Sequence, residues 1–146
     1  GRPFMIYKFR TMRVQEDQGP VAQAQRGDPR ITRLGALLRR TSLDEVPQLL
    51  NVLKGDMSIV GPRPHAIGHD KQYRALLFSY TRRMAVKPGL TGMAQVRGFR
   101  GETRTLDAMA QRIHWDLDYI DNWSIGLDLQ LIVATAVRIP FDADAY

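Results

Sequence analysis

A chain of 146 residues, 44% of them hydrophobic, is long enough for one globular domain with a modest buried core, and its composition gives no sign of intrinsic disorder. Lys and Arg outnumber Asp and Glu by 21 to 15, and the net charge of +6 favours anionic partners such as phosphates, nucleic acids or lipid headgroups. The absence of cysteine excludes disulfides and thiolate metal sites, and no apolar run approaches the ~18 residues of a membrane-spanning helix.

The first residues, GRPFMIYKFRTM, read as a strand with alternating apolar positions that carries Lys8 and Arg10, with nothing before it to pair against; the chain therefore reads as truncated upstream. RVQEDQGPVAQAQRGDPR is polar, Gln-rich and broken by Gly-Pro and Asp-Pro, the composition of a loop. From Thr32 as N-cap, RLGALLRR makes a short helix with Leu34, Leu37 and Leu38 on one side and two cations suited to its C-terminal dipole. PQLLNVLKG is a compact helix stopped by Gly55 as a left-handed cap, and MSIV is a brief extended run into GPRPH. Ala66 to Met84 has a helical pattern with Tyr73, Leu76, Leu77 and Tyr80 on one face. Arg82, Arg83 and Lys87 lean that helix towards in-plane contact with a membrane. MAQVRGF reads as a short strand, the stretch after Thr103 or Thr105 as a capped helix, and SIGLDLQLIVATAVRI as a last, apolar helix. The sum is α+β: a mainly helical single domain with a small β-sheet.

Chemistry concentrates in SLDEVPQLLNVLKGDMSIVGPRPH, residues 42 to 65. Adjacent acids repel, so Asp44 and Glu45 need a cation, a proton or a structural task. SLDE matches a capping box, in which Ser42 caps and Glu45 reaches back. Pro47 weakens that reading, because inside such a helix it lacks an N–H and disfavours helical geometry at Val46. A helix starting at Pro47 leaves both carboxylates on the turn before an N-terminus, where dipole and free N–H groups favour anions, a bound phosphate included. Arg39 precedes Asp44 by five residues and Arg63 follows it by nineteen, so folding can bring two guanidiniums to one phosphate. The prolines Pro62 and Pro64 either stiffen a turn or pre-set Arg63 for gripping an anion.

YKFRTM, DPRITRLGALLRRTSLDEVPQLLNVLKGDMSIVGPRPH, VKPGLTGMAQVRG and LDYIDNWSIGLDLQLI, in that order, make the chain resemble the bacterial sugar transferases called monotopic phosphoglycosyl transferases, over nearly its whole length. The resemblance implies transfer of a sugar 1-phosphate from a UDP-sugar to polyprenyl phosphate, with release of UMP, at the cytoplasmic face of the bacterial inner membrane. It implies Asp44 as nucleophile through an aspartyl phosphosugar, Glu45 as holder of Mg²⁺, and Arg39 and Arg63, with Pro62 and Pro64 about the latter, as phosphate contacts. Lys8 matches a basic residue near the same phosphates. Asp116 and Asp128 fall where the family pattern has acids, for chemistry or for the fold; their plain alternative is helix-surface charge. PRPHA followed by GFRGET resembles the branch that begins exopolysaccharides with glucose 1-phosphate, and Gly-Met where many relatives have Gly-Trp bears on the sugar rather than the reaction. Relatives carry an upstream hydrophobic helix that dips into one leaflet; without it these residues read as a soluble or peripheral catalytic part.

His65 and His69 stand four apart, but Gly68 and the want of a nearby third ligand argue against a metal pair. Trp115, Tyr119 and Trp123 suit either a core or a membrane boundary. A nucleic-acid-binding module is the rival from charge alone; with no finger, glycine-rich RNA signature or helix-turn-helix, nucleic acid is set aside as a partner. A Mg²⁺-dependent phosphohydrolase using the same aspartate is the other alternative.

Overall fold

The computed structural model describes residues 2–13, 27–101 and 105–138, apart from the side chains of residues 69 and 71. The middle of the Gln-rich stretch and Thr103 lie outside them. Among the described residues the chain is mainly helical with a two-stranded sheet. Its helices are α1 (Arg33–Arg40), α2 (Leu49–Leu53), α3 (Ile67–Leu76), α4 (Met93–Val96), α5 (Leu106–Asp121) and α6 (Ile125–Arg138), and its strands are β1 (Ser58–Val60) and β2 (Gly89–Thr91). No helix among the described residues is long and apolar enough to cross a membrane.

Local signals set several boundaries where the sequence puts them. Thr32 caps α1 by accepting from the Gly35 amide at 2.9 Å, and Thr105 caps α5 by accepting from the Ala108 amide at 3.1 Å. Gly55, at φ +81°, ends the α2 region in the left-handed conformation that glycine adopts freely. Leu34 and Leu37 point outward, and α1 instead packs through Gly35, whose missing side chain lets the Thr11 carbonyl approach.

Four expectations are corrected. Residues 2–13 form no ladder beyond a single bridge from Met12 to Ile31. In place of a neighbouring strand, the amide of fully buried Asn51 donates to the Met5 carbonyl at 2.7 Å and accepts from the Tyr7 N–H at 3.1 Å. Ala66 to Met84 is not one helix: the chain breaks at Leu77 and continues as a 3₁₀ helix over Phe78–Ala85. With three residues per turn, Tyr80 and Arg83 eclipse and both turn inward, to 0% and 5% exposure, rather than towards a membrane. MAQV is helix, not strand; Gly98 at φ +94° follows it, and Met93 and Ala94 are its buried side. The helix does not start at Pro47: that residue lies inside a 3₁₀ turn over Leu43–Gln48, α2 begins at Leu49, and Ser42, left-handed at φ 59°, makes no side-chain cap, in keeping with the weakened capping box.

Two apolar clusters hold the elements together. Val60, Met93, Tyr119 and Leu131 join sheet, α4, α5 and α6, with Trp115 packed partly buried against them; Tyr80, Met109 and Ile113 join the 3₁₀ helix to α5. Trp123 stays exposed. Parallel pairing of Ser58 with Gly89 and Val60 with Thr91 brings the GPRP loop alongside the start of VKPGLTG. The contact is close: a Cβ on Gly89 would lie 2.1 Å from the Gly61 nitrogen. Gly89→Ala therefore forces backbone apart and is expected to destabilise by about 3 kcal/mol, the upper range of overpacking. Gly98→Ala, which meets nothing within 4 Å but sits at positive φ, is expected to lose about 1 kcal/mol. Urea midpoints of the two variants check the order.

Candidate active site

The 3₁₀ turn places Asp44 and Glu45 side by side with each residue 8% exposed. A left-handed Ser42 reverses the chain into that turn, and its hydroxyl accepts from Arg100 Nη2 at 2.7 Å. The extended N-terminal segment crosses the turn, with the Phe9 N–H donating to the Asp44 carbonyl at 3.0 Å, and so delivers Lys8. Pro62 is buried and its carbonyl accepts from the Gly89 N–H at 2.9 Å; Pro64 is half-buried on the other side of Arg63.

Glu45 is where the cations meet. Arg63 grips it with both terminal nitrogens, at 2.6 Å to Oε1 and 3.2 Å to Oε2, and Lys8 Nζ lies 3.0 Å from Oε1. Arg100 Nη2 stands 3.9 Å from Oε2. Burial pushes the Glu45 carboxyl up, but Arg63 and Lys8 outweigh it and hold the group far below the usual carboxylate range. Asp44 differs: among the described residues its carboxylate takes no hydrogen bond or ion pair. Burial first, then the charge of Glu45, raises its pKa, and Lys8, Arg39 and Arg100 oppose without cancelling. Arg39 faces this charge while one of its nitrogens lies 3.5 Å from the Thr11 hydroxyl. The arrangement thus offers one carboxylate neutralised by cations and another with free oxygens, a pair able to divide anion holding from nucleophilic attack.

Arg63 is itself buttressed. Its carbonyl accepts from Arg83 Nη2 at 2.5 Å, and Arg83 Nε donates to Asp116 Oδ2 at 3.0 Å. Asp116 is 2% exposed, so it is no surface charge; α5 holds it against the loop that carries Arg63. Asp128 accepts from the Tyr119 hydroxyl at 2.9 Å and from Trp123 Nε1 at 3.2 Å, where α5 turns into α6. Neither aspartate is bonded to the acidic pair. His65 lies between Tyr80, whose hydroxyl is 2.6 Å from Nδ1, and Arg112. Among the described residues no three His, Cys, Asp or Glu side chains cluster as metal ligands.

Sequence reasoning missed Arg100 and gave Ser42 and Arg83 other tasks, a helix cap and a membrane contact. Fifty-eight positions separate Arg100 from Ser42, and no local spacing announces that contact.

The site thus sets a cation-bound carboxylate beside one with unbonded oxygens, and comparison with known proteins gives the family in which it occurs. Residues 1–141 match the family described as bacterial sugar transferase. The chain is 56% identical to the UDP-glucose:undecaprenyl-phosphate glucose-1-phosphate transferase of Xanthomonas campestris pv. campestris, over 100% of this chain and 30% of that protein. It is 55% identical to the protein of the same description from Caulobacter vibrioides, over 100% of this chain and 55% of that one. To that of Escherichia coli it is 52% identical, over 94% and 30%. This chain belongs to the bacterial sugar transferase family. It spans between about a third and about a half of the length of these relatives.

Two outcomes follow from the charges. A raised carboxyl pKa means that the fold gains from protonated Asp44: this contribution is complete below 3.8 and lost as pH rises through the folded value. The Asp44 carboxyl carbon, followed by NMR, is expected to titrate above 3.8, and Glu45→Gln to move its midpoint down by removing a like charge. For the buttress, Asp116→Asn leaves Arg83 buried without its counter-ion and is expected to destabilise by about 3 kcal/mol. Asp121→Asn, which loses the exposed pair with Arg82, is expected to stay within about 0.5 kcal/mol in the same urea titration.

Proposed function

We propose that the protein transfers a hexose 1-phosphate, glucose 1-phosphate by preference, from a UDP-sugar to polyprenyl phosphate and releases UMP. The observation that carries this reading is the Asp44 carboxylate, buried with unbonded oxygens beside a carboxylate that Arg63 and Lys8 already neutralise. The activity for which the three relatives are named supplies the donor and acceptor classes.

In this reading an Asp44 oxygen attacks the sugar-bearing phosphorus and forms a P–O bond. The bond from that phosphorus to the bridging oxygen breaks, and its electron pair leaves on UMP. A phosphate oxygen of the polyprenyl phosphate then attacks the same phosphorus and displaces the Asp44 carboxylate, which returns ionised. Splitting one transfer into two displacements lets each substrate meet the same phosphorus in turn. Arg63, Arg39 and Lys8 bind the diphosphate oxygens and offset the charge that builds in both steps. Pro62 and Pro64 limit the freedom that Arg63 loses on binding.

Mg²⁺ is commonly held by one or two carboxylates and completed by phosphate and water, a donor set that Glu45 and a diphosphate can supply. Glu45 would hold it through Oε2, which carries one close bond, from Arg63, with Arg100 3.9 Å away, and the ion would offset diphosphate charge. The reaction takes place at the cytoplasmic face of the inner membrane, where polyprenyl phosphate is met.

Trapping tests the reading. Incubation with radiolabelled UDP-glucose and Mg²⁺, followed by denaturation, is expected to leave label covalently on the protein, and Asp44→Asn to lower the yield by about 10³-fold or more. Unchanged yield in that variant removes Asp44 as nucleophile. Free glucose phosphate as the sole product identifies a phosphohydrolase instead.

A further inference from the structure

A cavity of about 340 Å³ opens beside Glu45, between the acidic turn, the sheet and α6. We infer that it receives the isoprene units nearest the phosphate of the polyprenyl acceptor, an assignment that rests on the proposed transfer reaction.

The lining decides the occupant. Leu43, Val46, Ile59, Leu90, Val96 and Ile132 make its walls apolar. Arg138 adds a charge at the α6 edge, and the uncharged polar groups of Thr91, Thr135 and Gln95 offer an entering ligand little. Thr91 and Thr135 bond hydroxyl to hydroxyl at 2.5 Å, and Thr135 donates onward to the Leu131 carbonyl at 2.7 Å. Gln95 spends its amide N–H on the Leu90 carbonyl at 3.3 Å, and its Oε1 is shut away from the surface. A hexose or a nucleoside entering here would bury hydroxyls or amides against carbon, an unfavourable exchange with water. A branched hydrocarbon loses nothing by leaving water for such walls. Polar character remains at the corner where Ser42, Glu45 and Arg100 meet, and there Arg100 offers a monophosphate its charge beside the acidic pair. The match is therefore one of shape and charge together: a hydrocarbon along the walls, an anion at the corner.

The surface around the cavity continues the same chemistry. Leu129, Val133 and Val137 recur every four residues on α6 and are each at least 60% exposed, next to the cavity residues Ile132 and Ala136 on the same helix. An acyl-like chain leaving the cavity would pass along this apolar stripe, with Arg138, itself at the cavity edge, at its C-terminal end.

Ile59 and Ile132 are wall residues more than a third exposed, so enlarging them narrows the cavity without opening the core. In the protein at its natural length, held in lipid nanodiscs, Ile132→Trp is expected to raise the KM for polyprenyl phosphate about tenfold while the KM for UDP-glucose stays where it was. Ile59→Trp, as a second variant, is expected to do the same. A short polyprenyl phosphate with a diazirine on its first isoprene units is expected to label the segments around Ile59, Leu90 and Ile132, and unlabelled polyprenyl phosphate to compete with it. A rise in the KM for UDP-glucose instead, or uncompeted labelling confined to other segments, overturns the assignment. Labelling needs no turnover: competed labelling at these segments in a protein that releases no UMP keeps the cavity assignment and removes the reaction.

Discussion

The bidentate contact between Arg63 and Glu45 is the interaction on which the arrangement of the molecule turns. Two charged groups cannot stay largely buried unless each is matched, and here each end of the match is fastened to a different part of the chain. Glu45 sits on a turn set by left-handed Ser42 and crossed by the N-terminal segment. Arg63 sits between prolines, its carbonyl held by Arg83 and through it by Asp116 of α5. The ion pair therefore joins the first third of the chain to the middle third and, through Arg83 and Asp116, to the last.

The same electrostatics separates two chemically similar neighbours. Glu45 collects the cations and is driven towards permanent ionisation; Asp44, one residue on the other side of a peptide bond, feels burial and a neighbouring anion and is driven the opposite way. Two adjacent carboxyl groups thereby acquire opposite protonation tendencies from their surroundings alone. The helix-start reading of this stretch anticipated a site favouring anions, but side-chain cations rather than helix amides dominate around the pair.

What could be read from the sequence was local. Thr32, Gly55 and Thr105 act within a turn of themselves, so their side-chain chemistry was enough to place them. The acidic pair and Arg63 stood out because two prolines and two adjacent acids are unusual neighbours. The first segment was misread because alternation describes a strand's side chains but cannot supply its partner, and Asn51, 44 residues away from Tyr7, took that place. The break at Leu77 follows from burying Tyr80 and Arg83 together, which depends on Asp116 and Ile113 arriving from α5. Arg100 was invisible for the same reason: its meaning lies in a contact made only after the sheet, α4 and α6 have assembled.

Gly61, Gly89 and Gly92 meet so closely that backbone lies against backbone: a notional Cβ on Gly89 or Gly92 would lie 2.1 to 2.6 Å from Gly61 main-chain atoms, and one on Gly61 3.0 Å from the Gly89 nitrogen. The loop that carries Arg63 and the strand that begins VKPGLTG consequently vary as one unit, and a side chain added to either is felt by the other. Beyond Gly92, in residues 95–100, the backbone is under less steric constraint. There Gln95, Val96 and Arg100 border the cavity and Gly98 has open space around it. One half of the motif is thus held backbone against backbone, while the adjoining half has room for side chains of other sizes.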